Sequence, residues 1–413
     1  MIDLASPVTT PPSTIPAHVP PELVVDFDVY ESFGGATDFH EAWVRFQGSV
    51  GHPVVWTPRN GGHWIAMRGD AVLSVFEDSS RFSSDSFGVP VSEAQQRPLG
   101  ALLVDPPEHQ FYCSFLTQGL SLLVVRANEP QIRARAVGLI EGFLARGTCE
   151  VVKEFADVLP LSVFLNLVGL PEEDREMLSA LTADTVRGAD LAAREAAFQM
   201  LADYLGPVIE KRRDNPGKDM FSAIATLRVR DRPLTQNEAV GAAIHLVMAG
   251  LDTVASMLVF LLAFLARNPD LRRELVAHPE RIPPATTEAI RRFPIVLMSR
   301  RARDDMMFHG APLRENDMIA APTMLYNLDP EVFPDPLKFD IDRRATKVAT
   351  FGEGPHRCPG AMLGRMEVTV TLQEWLKRIP EFEIVDEAGL NVTGGIVASM
   401  DRLHLRWPTA RLG

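Results

Sequence analysis

Cysteine is scarce: the 413 residues hold three, at positions 113, 149 and 358, with no Cys-x-x-Cys pair. An odd, widely spaced set excludes a disulfide framework and a structural zinc knuckle, and fits a reducing compartment. A surplus of positive charge is missing as well. The formal net charge is −13, which excludes the broad cationic face of a nucleic-acid binder but leaves room for a local basic patch. The opening 28 residues lack a basic stretch followed by an apolar one, so no export leader or anchor helix is predicted and the expected location is cytoplasmic. Repeats, low-complexity tracts and an obvious linker are also absent. The expectation is one domain over 1–413, whose proline-rich residues 1–21 form an arm.

What is present is an ordinary globular composition, 46% hydrophobic and 23% charged with mean hydropathy +0.02. Short β-rich runs (VVWT, HWIA) flank an NGG turn between about 50 and 100. From about 105 to 290 the chain reads as successive helices, with LTQNEAV placing a capping residue before an acidic one. Strand patterns return near 306–320 and 382–407. The predicted fold class is mainly α with a smaller β-rich region.

Residues 242–267, AAIHLVMAGLDTVASMLVFLLAFLAR, form the most apolar stretch. As a helix it would run about 39 Å, long enough for a bilayer. His245 and Asp252 near its middle make a single span costly, so a helix through the centre of a large globule is expected instead.

The second unusual stretch is TFGEGPHRCPGAML, 350–363. It sets Cys358 on a glycine-bounded loop before an amphipathic helix, AMLGRMEVTVTLQEWL. Backbone N–H groups at that helix start, with His356 and Arg357, favour negative charge on sulfur. A buried structural cysteine, a nucleophile and an axial haem ligand all remain open on chemistry alone.

The spacing discriminates. FGEGPHRCPG resembles the F-x-x-G-x-H-x-C-x-G signature of cytochromes P450 through Phe351, Gly354, His356, Cys358 and Gly360. EAIR carries the family's E-x-x-R at Glu288 and Arg291, and YNLDPEVFPDPLKFDIDR resembles its meander, with Arg343. NGGHWIA, GLPEED, AGLDTV, TLQEWLKRIP and GIV resemble the soluble bacterial camphor hydroxylases over nearly the whole chain. The resemblance implies the cytochrome P450 fold, haem b with Cys358 as axial iron ligand, and a monooxygenase fed by a [2Fe-2S] ferredoxin and its NADH-dependent reductase. It also implies a structural charge cluster of Glu288, Arg291 and Arg343. A peroxygenase, or a haem-binding protein without turnover, are the alternatives.

By the same resemblance, Asp252 and Thr253 are catalytic, relaying protons and hydrogen-bonding bound oxygen; back-bonding of Thr253 to Ala249 is the plain alternative. Gly250 would loosen the helix beside them. Phe351, Gly352, His356, Arg300 and His109 are expected around the haem, the last three at its propionates. Where relatives place a further propionate-binding arginine, this chain has Cys113, or Tyr112 with a one-residue gap. Gln110 and Ser74 likewise replace arginines, which weakens the expected ferredoxin site and leaves Arg365 as the marker of a shifted patch. Arg97, His245, Met248, Ala249, Val296, Leu297, Ile396 and Val397 are expected to line the substrate pocket. No tyrosine occurs between Phe82 and Glu108 to hold a ketone as in the camphor hydroxylase. The implied substrate is a small hydrophobic terpenoid or norisoprenoid, ionone-like, with no nucleic acid or membrane partner.

Overall fold

The computed structural model describes residues 14–30, 39–91, 99–187, 191–344 and 347–409. Its helices used below are α1 (Gly69–Glu77), α2 (His109–Gly119), α3 (Leu122–Leu144), α4 (Val158–Val168), α5 (Arg175–Arg187), α6 (Leu191–Asp214), α7 (Gln236–Leu251), α8 (Thr253–Arg267), α9 (Ile282–Arg292) and α10 (Ala361–Arg378). A five-stranded sheet accompanies them, built from β1 (Val54–Thr57), β2 (His63–Ala66), β3 (Phe82–Ser83), β4 (Leu297–Ala302) and β5 (Met318–Pro322) in the order β1-β2-β5-β4-β3. All pairs are antiparallel except β2 with β5, where Ile319 faces Trp64. Mainly α with a smaller β-rich region is therefore the observed class.

The apolar stretch forms α7 and α8 in sequence. The pair is long and apolar enough to cross a membrane, yet 72% of its most apolar window is buried inside the protein. Helices α4, α5 and α6 pack on α7, and α4 and α10 on α8. A helix apolar on all sides is satisfied by such surroundings. The predicted capping residue starts it: Thr235 Oγ1 accepts the Glu238 N–H, while the Glu238 carboxylate accepts the Thr235 N–H, a reciprocal box. Between the two helices Asp252 sits at φ −106°, ψ −32°, interrupting the regular helix directly before Thr253.

Of the proline-rich arm, residues 14–21 lie within the described chain. His18 Nε2 is 2.9 Å from Asp317 Oδ2, which also accepts the Trp64 indole N–H at 2.8 Å, and Val19 and Leu23 are buried. That end of the arm is thus pinned to the sheet.

Candidate active site

The cysteine loop is shaped by its backbone. Residues Ala349–Phe351 and Gly354–His356 form two short 3-10 turns, and the Cys358 N–H donates to the Phe351 carbonyl at 2.8 Å. Gly354 has φ +71°, and a Cβ there would lie 2.5 Å from the Phe76 carbonyl oxygen of α1. Only glycine allows both the left-handed turn and that approach.

Cys358 is solvent-accessible on the loop leading into α10, which itself packs on α8. Burial pushes its thiol up; the Gly360 N–H, the Arg357 charge and the Ala361 N–H pull it back down. Backbone N–H groups and a nearby cation that oppose burial in this way favour a thiolate ligand. Phe351, the residue whose carbonyl holds Cys358, approaches Gly364 of α10, where Val254 of α8 also comes close.

On the central helix Ala249 is exposed although Leu246, Val247, Met248 and Leu251 around it are buried. Thr253 Oγ1 donates to the Ala249 carbonyl at 3.1 Å, so the back-bonded arrangement weighed for mid-helix threonine is the one adopted. Two exposed positions, Ala249 on one side and Cys358 on the other, identify the interior space between α7–α8 and α10.

One edge of that space is cationic or imidazole-lined. Arg300 on β4 is buried, donates to the Ser299 carbonyl at 2.8 Å, and has no carboxylate within pairing distance among the described residues. Burial lowers its guanidinium to about 10. The His109 and His356 rings lie 4.1 Å apart, and the buried Nε2 of His356 has no hydrogen-bond partner. Burial, Arg300 and His109 together push His356 far below the usual imidazole range. An unpaired buried guanidinium and an orphaned ring nitrogen are costly unless an anionic acceptor meets them. Two carboxylates on a flat macrocycle whose iron faces Cys358 satisfy that requirement, so the residues present fit haem.

Behind the loop, Arg291 donates from Nε to Glu288 Oε2 at 2.9 Å and from Nη2 to Oε1 at 2.7 Å, and Arg343 Nε reaches Oε1 at 3.2 Å. Arg291 and Glu288 are almost wholly buried. The expected charge cluster forms.

The pocket residues divide. Val296 is half-buried and bridges Val397, while the Leu297 N–H donates to the Ile396 carbonyl at 2.9 Å. Met248, Ile396 and Val397 are buried. Leu297 is fully buried in β4, where it pairs with Pro322 of β5. At Gly250 the place of a side chain is filled by the ring of Phe164 from α4, and the helix is interrupted two residues on, at Asp252. Arg97 lies outside the described residues.

Cys113, rather than Tyr112, takes the side of α2 next to the propionate edge. Its sulfur is 3.1 Å from His109 Nε2, while Tyr112 is buried in the core. Sequence reasoning missed Glu367 on α10, a buried acid that desolvation raises to about 8. It also missed Asp105, which accepts from Ser83, the Ser84 N–H and Arg303 and fixes the chain ahead of α2. Neither carries a local sequence signal beyond being acidic.

A mainly helical fold that presents one deprotonatable cysteine to a propionate-matched interior space defines a haem-thiolate protein. A family model described as cytochrome P450 matches residues 178–281 and 285–386. A probable cytochrome P450 127A1 of Sinorhizobium fredii is 35% identical, covering 95% of this chain and 97% of its own. The solved structures of CYP101J2 and CYP101C1 superpose with TM-scores of 0.88 and 0.86 at 41% and 39% identity, each covering 96% of this chain and 100% of theirs. The chain belongs to the cytochrome P450 family. It is a monooxygenase with haem b as its cofactor.

Proposed function

We propose that the chain hydroxylates a small hydrophobic terpenoid or norisoprenoid, ionone-like, in the cytoplasm, drawing electrons from a [2Fe-2S] ferredoxin and an NADH-dependent reductase. The observation that carries the reading is Cys358, exposed on its glycine-bounded loop directly before α10, where the Gly360 and Ala361 N–H groups and Arg357 lower its thiol against burial. Haem bound there supplies oxygen activation, and a thiolate favours O–O cleavage. Cys358 would hold the iron; Arg300, His109 and His356 would hold the propionates. Thr253, with its hydroxyl at the open face, orients a proton donor at the oxygen site, and Asp252 passes protons to it. Apolar Met248, Val296, Ile396 and Val397 exclude water and orient a hydrocarbon skeleton.

Retention of the Asp252–Thr253 pair favours dioxygen over direct use of peroxide, and favours turnover over passive haem binding. The test is spectral, then catalytic. The reduced carbon-monoxide complex should absorb near 450 nm (about, for thiolate ligation), and ionones should move the Soret band toward high spin. NADH-driven hydroxylation with ferredoxin and reductase should follow. A folded, haem-loaded protein without the long-wavelength band would overturn the site; inert ionones would remove the substrate class alone.

A further inference from the structure

We infer that His245 is the hydrogen-bonding anchor of the substrate, and that the substrate is a compact hydrocarbon skeleton bearing one oxygen function remote from the carbon that is oxidised. The inference deepens the monooxygenase reading and rests on it.

His245 lies four residues before Ala249 and eight before Thr253, on the helix face those two residues open to the interior. Its neighbours Ile244, Leu246, Val247 and Met248 are all buried, whereas His245 keeps partial access. Its ring makes no hydrogen bond with a described residue; the polar groups whose charge it feels are the His109 and His356 rings. Burial holds the imidazole down to about 4. At neutral pH it is therefore uncharged, with one N–H donor and one nitrogen acceptor to offer.

Among the described residues the rest of the wall offers little competition. Val296, Ile396, Val397 and Met248 carry no polar side-chain group beyond a thioether, and the Thr253 hydroxyl is already spent on the Ala249 carbonyl. An enclosed imidazole without a partner carries a desolvation cost that a ligand bond removes. A ketone, ether or hydroxyl oxygen meets that need without bringing a charge into an apolar space. Rejection of the plain hydrocarbon follows from the same physics, since it would leave the ring unpaired.

The helix also sets a ruler. Six residues of regular helix from His245 to Leu251, at about 1.5 Å each, put His245 about 9 Å along the axis before the interruption that precedes Thr253. An oxygen held at His245 thus directs the far end of the molecule, not the carbon next to the oxygen, toward the oxygen-activating residues.

The test uses the haem-loaded protein and matched ligands: camphor against camphane, and β-ionone against its deoxygenated hydrocarbon. Soret titrations would compare the wild type with His245→Leu, which keeps bulk, and His245→Asn, which keeps a donor and an acceptor. The expected result is a loss of at least tenfold in ketone affinity in the leucine variant, a change under twofold for the hydrocarbons, and partial recovery in the asparagine variant. Equal losses for both ligand types, no loss, or no ketone binding in the wild type would each overturn the anchor. So would a changed haem reduction potential in ligand-free His245→Leu with unchanged ligand preference, which would mean that the ring bonds the haem. If the leucine variant does not fold, the ketone-to-hydrocarbon affinity ratio of the wild type against the asparagine variant decides. The carbon-monoxide spectrum of the wild type separates the two readings: a normal band with no ketone preference removes only the anchor, and an absent band removes the monooxygenase site beneath it.

Discussion

The ring of Phe164 fills the place a side chain at Gly250 would need: a Cβ there would lie 2.4 Å from Phe164 Cδ2 and 2.7 Å from Cε2. Two effects oppose each other in Gly250→Ala. Helix propensity favours alanine by about 1 kcal/mol, whereas overpacking costs about 1–3 kcal/mol. The clash involves two atoms of a rigid ring, so the substitution should lower the thermal midpoint. Gly250→Ala combined with Phe164→Leu should recover part of the loss, a coupling that a double-mutant cycle reads directly. An unchanged midpoint in the single variant would show that α4 and α7 can separate freely.

Arg291 is fully buried and shares Glu288 with Arg343. Arg291→Ala leaves the buried Glu288 with only the longer Arg343 contact and the Asp340 N–H, and losing the main partner of a buried charge typically costs about 3–5 kcal/mol. The expected result is little soluble, haem-loaded protein. Arg343→Ala should do less, because its partner Glu288 keeps Arg291. Denaturant unfolding of both variants ranks them; a larger loss at Arg343 would contradict the burial argument.

Those two cases mark what the sequence could and could not tell. Glu288 and Arg291 sit one helical turn apart, and Cys358 within ten residues of Phe351, so the family's spacing exposed both directly. The central helix was legible because few residues interrupt its apolar run, and Thr235–Glu238 announced its start. The packing of Phe164 on Gly250 was not legible, because the two are distant in the chain and no local pattern reports a helix–helix approach. The environment of Leu297 was hidden for a related reason: which face of β4 it takes is set by pairing with β5, where Pro322 faces it. Glu367 carries no signal at all, since an acid within an amphipathic helix normally faces water.

Glu367 gives stability a pH signature. Desolvation raises its folded value from 4.5 to about 8, so it is protonated when folded and ionised when unfolded across neutral pH. The stabilisation is whole below about 4.5 and fades as pH rises through 8. Glu367→Gln has no proton to lose. It should match the wild type near pH 5 and exceed it by a few kcal/mol above pH 8, at roughly 1.4 kcal/mol per unit. Urea midpoints at pH 5 and 8.5 measure this; parallel pH curves for the two proteins would place the acid in contact with water.

Thr253→Ala removes the hydroxyl that now bonds the Ala249 carbonyl at an exposed position. The fold loses one mid-helix side-chain bond, so haem uptake and the thermal midpoint should hardly change. Oxygen chemistry should suffer instead, with electrons diverted to peroxide. Peroxide formed per NADH consumed should rise severalfold while hydroxylated product falls. Coupling equal to the wild type would assign this threonine to helix geometry only.

Cys113 bears on the electron donor. Burial pushes its thiol up to about 11, so at neutral pH it brings no charge to a position where relatives of the camphor hydroxylase carry arginine. Gln110, exposed on the same helix, is neutral too. Arg365 does not replace them freely, because its Nη1 donates to Thr287 Oγ1 at 2.7 Å and burial lowers its guanidinium. An acidic [2Fe-2S] ferredoxin should therefore bind with weak salt dependence, since few exposed charge pairs are available to be screened. Cys113→Arg should tighten binding three- to tenfold at low ionic strength and steepen the dependence on salt, through a faster association rate. Cys113→Ser, equally neutral, should leave Kd unchanged. Surface plasmon resonance over a salt series distinguishes them. A serine variant that weakens binding would show that the sulfur beside His109, rather than the missing cation, is what the ferredoxin meets.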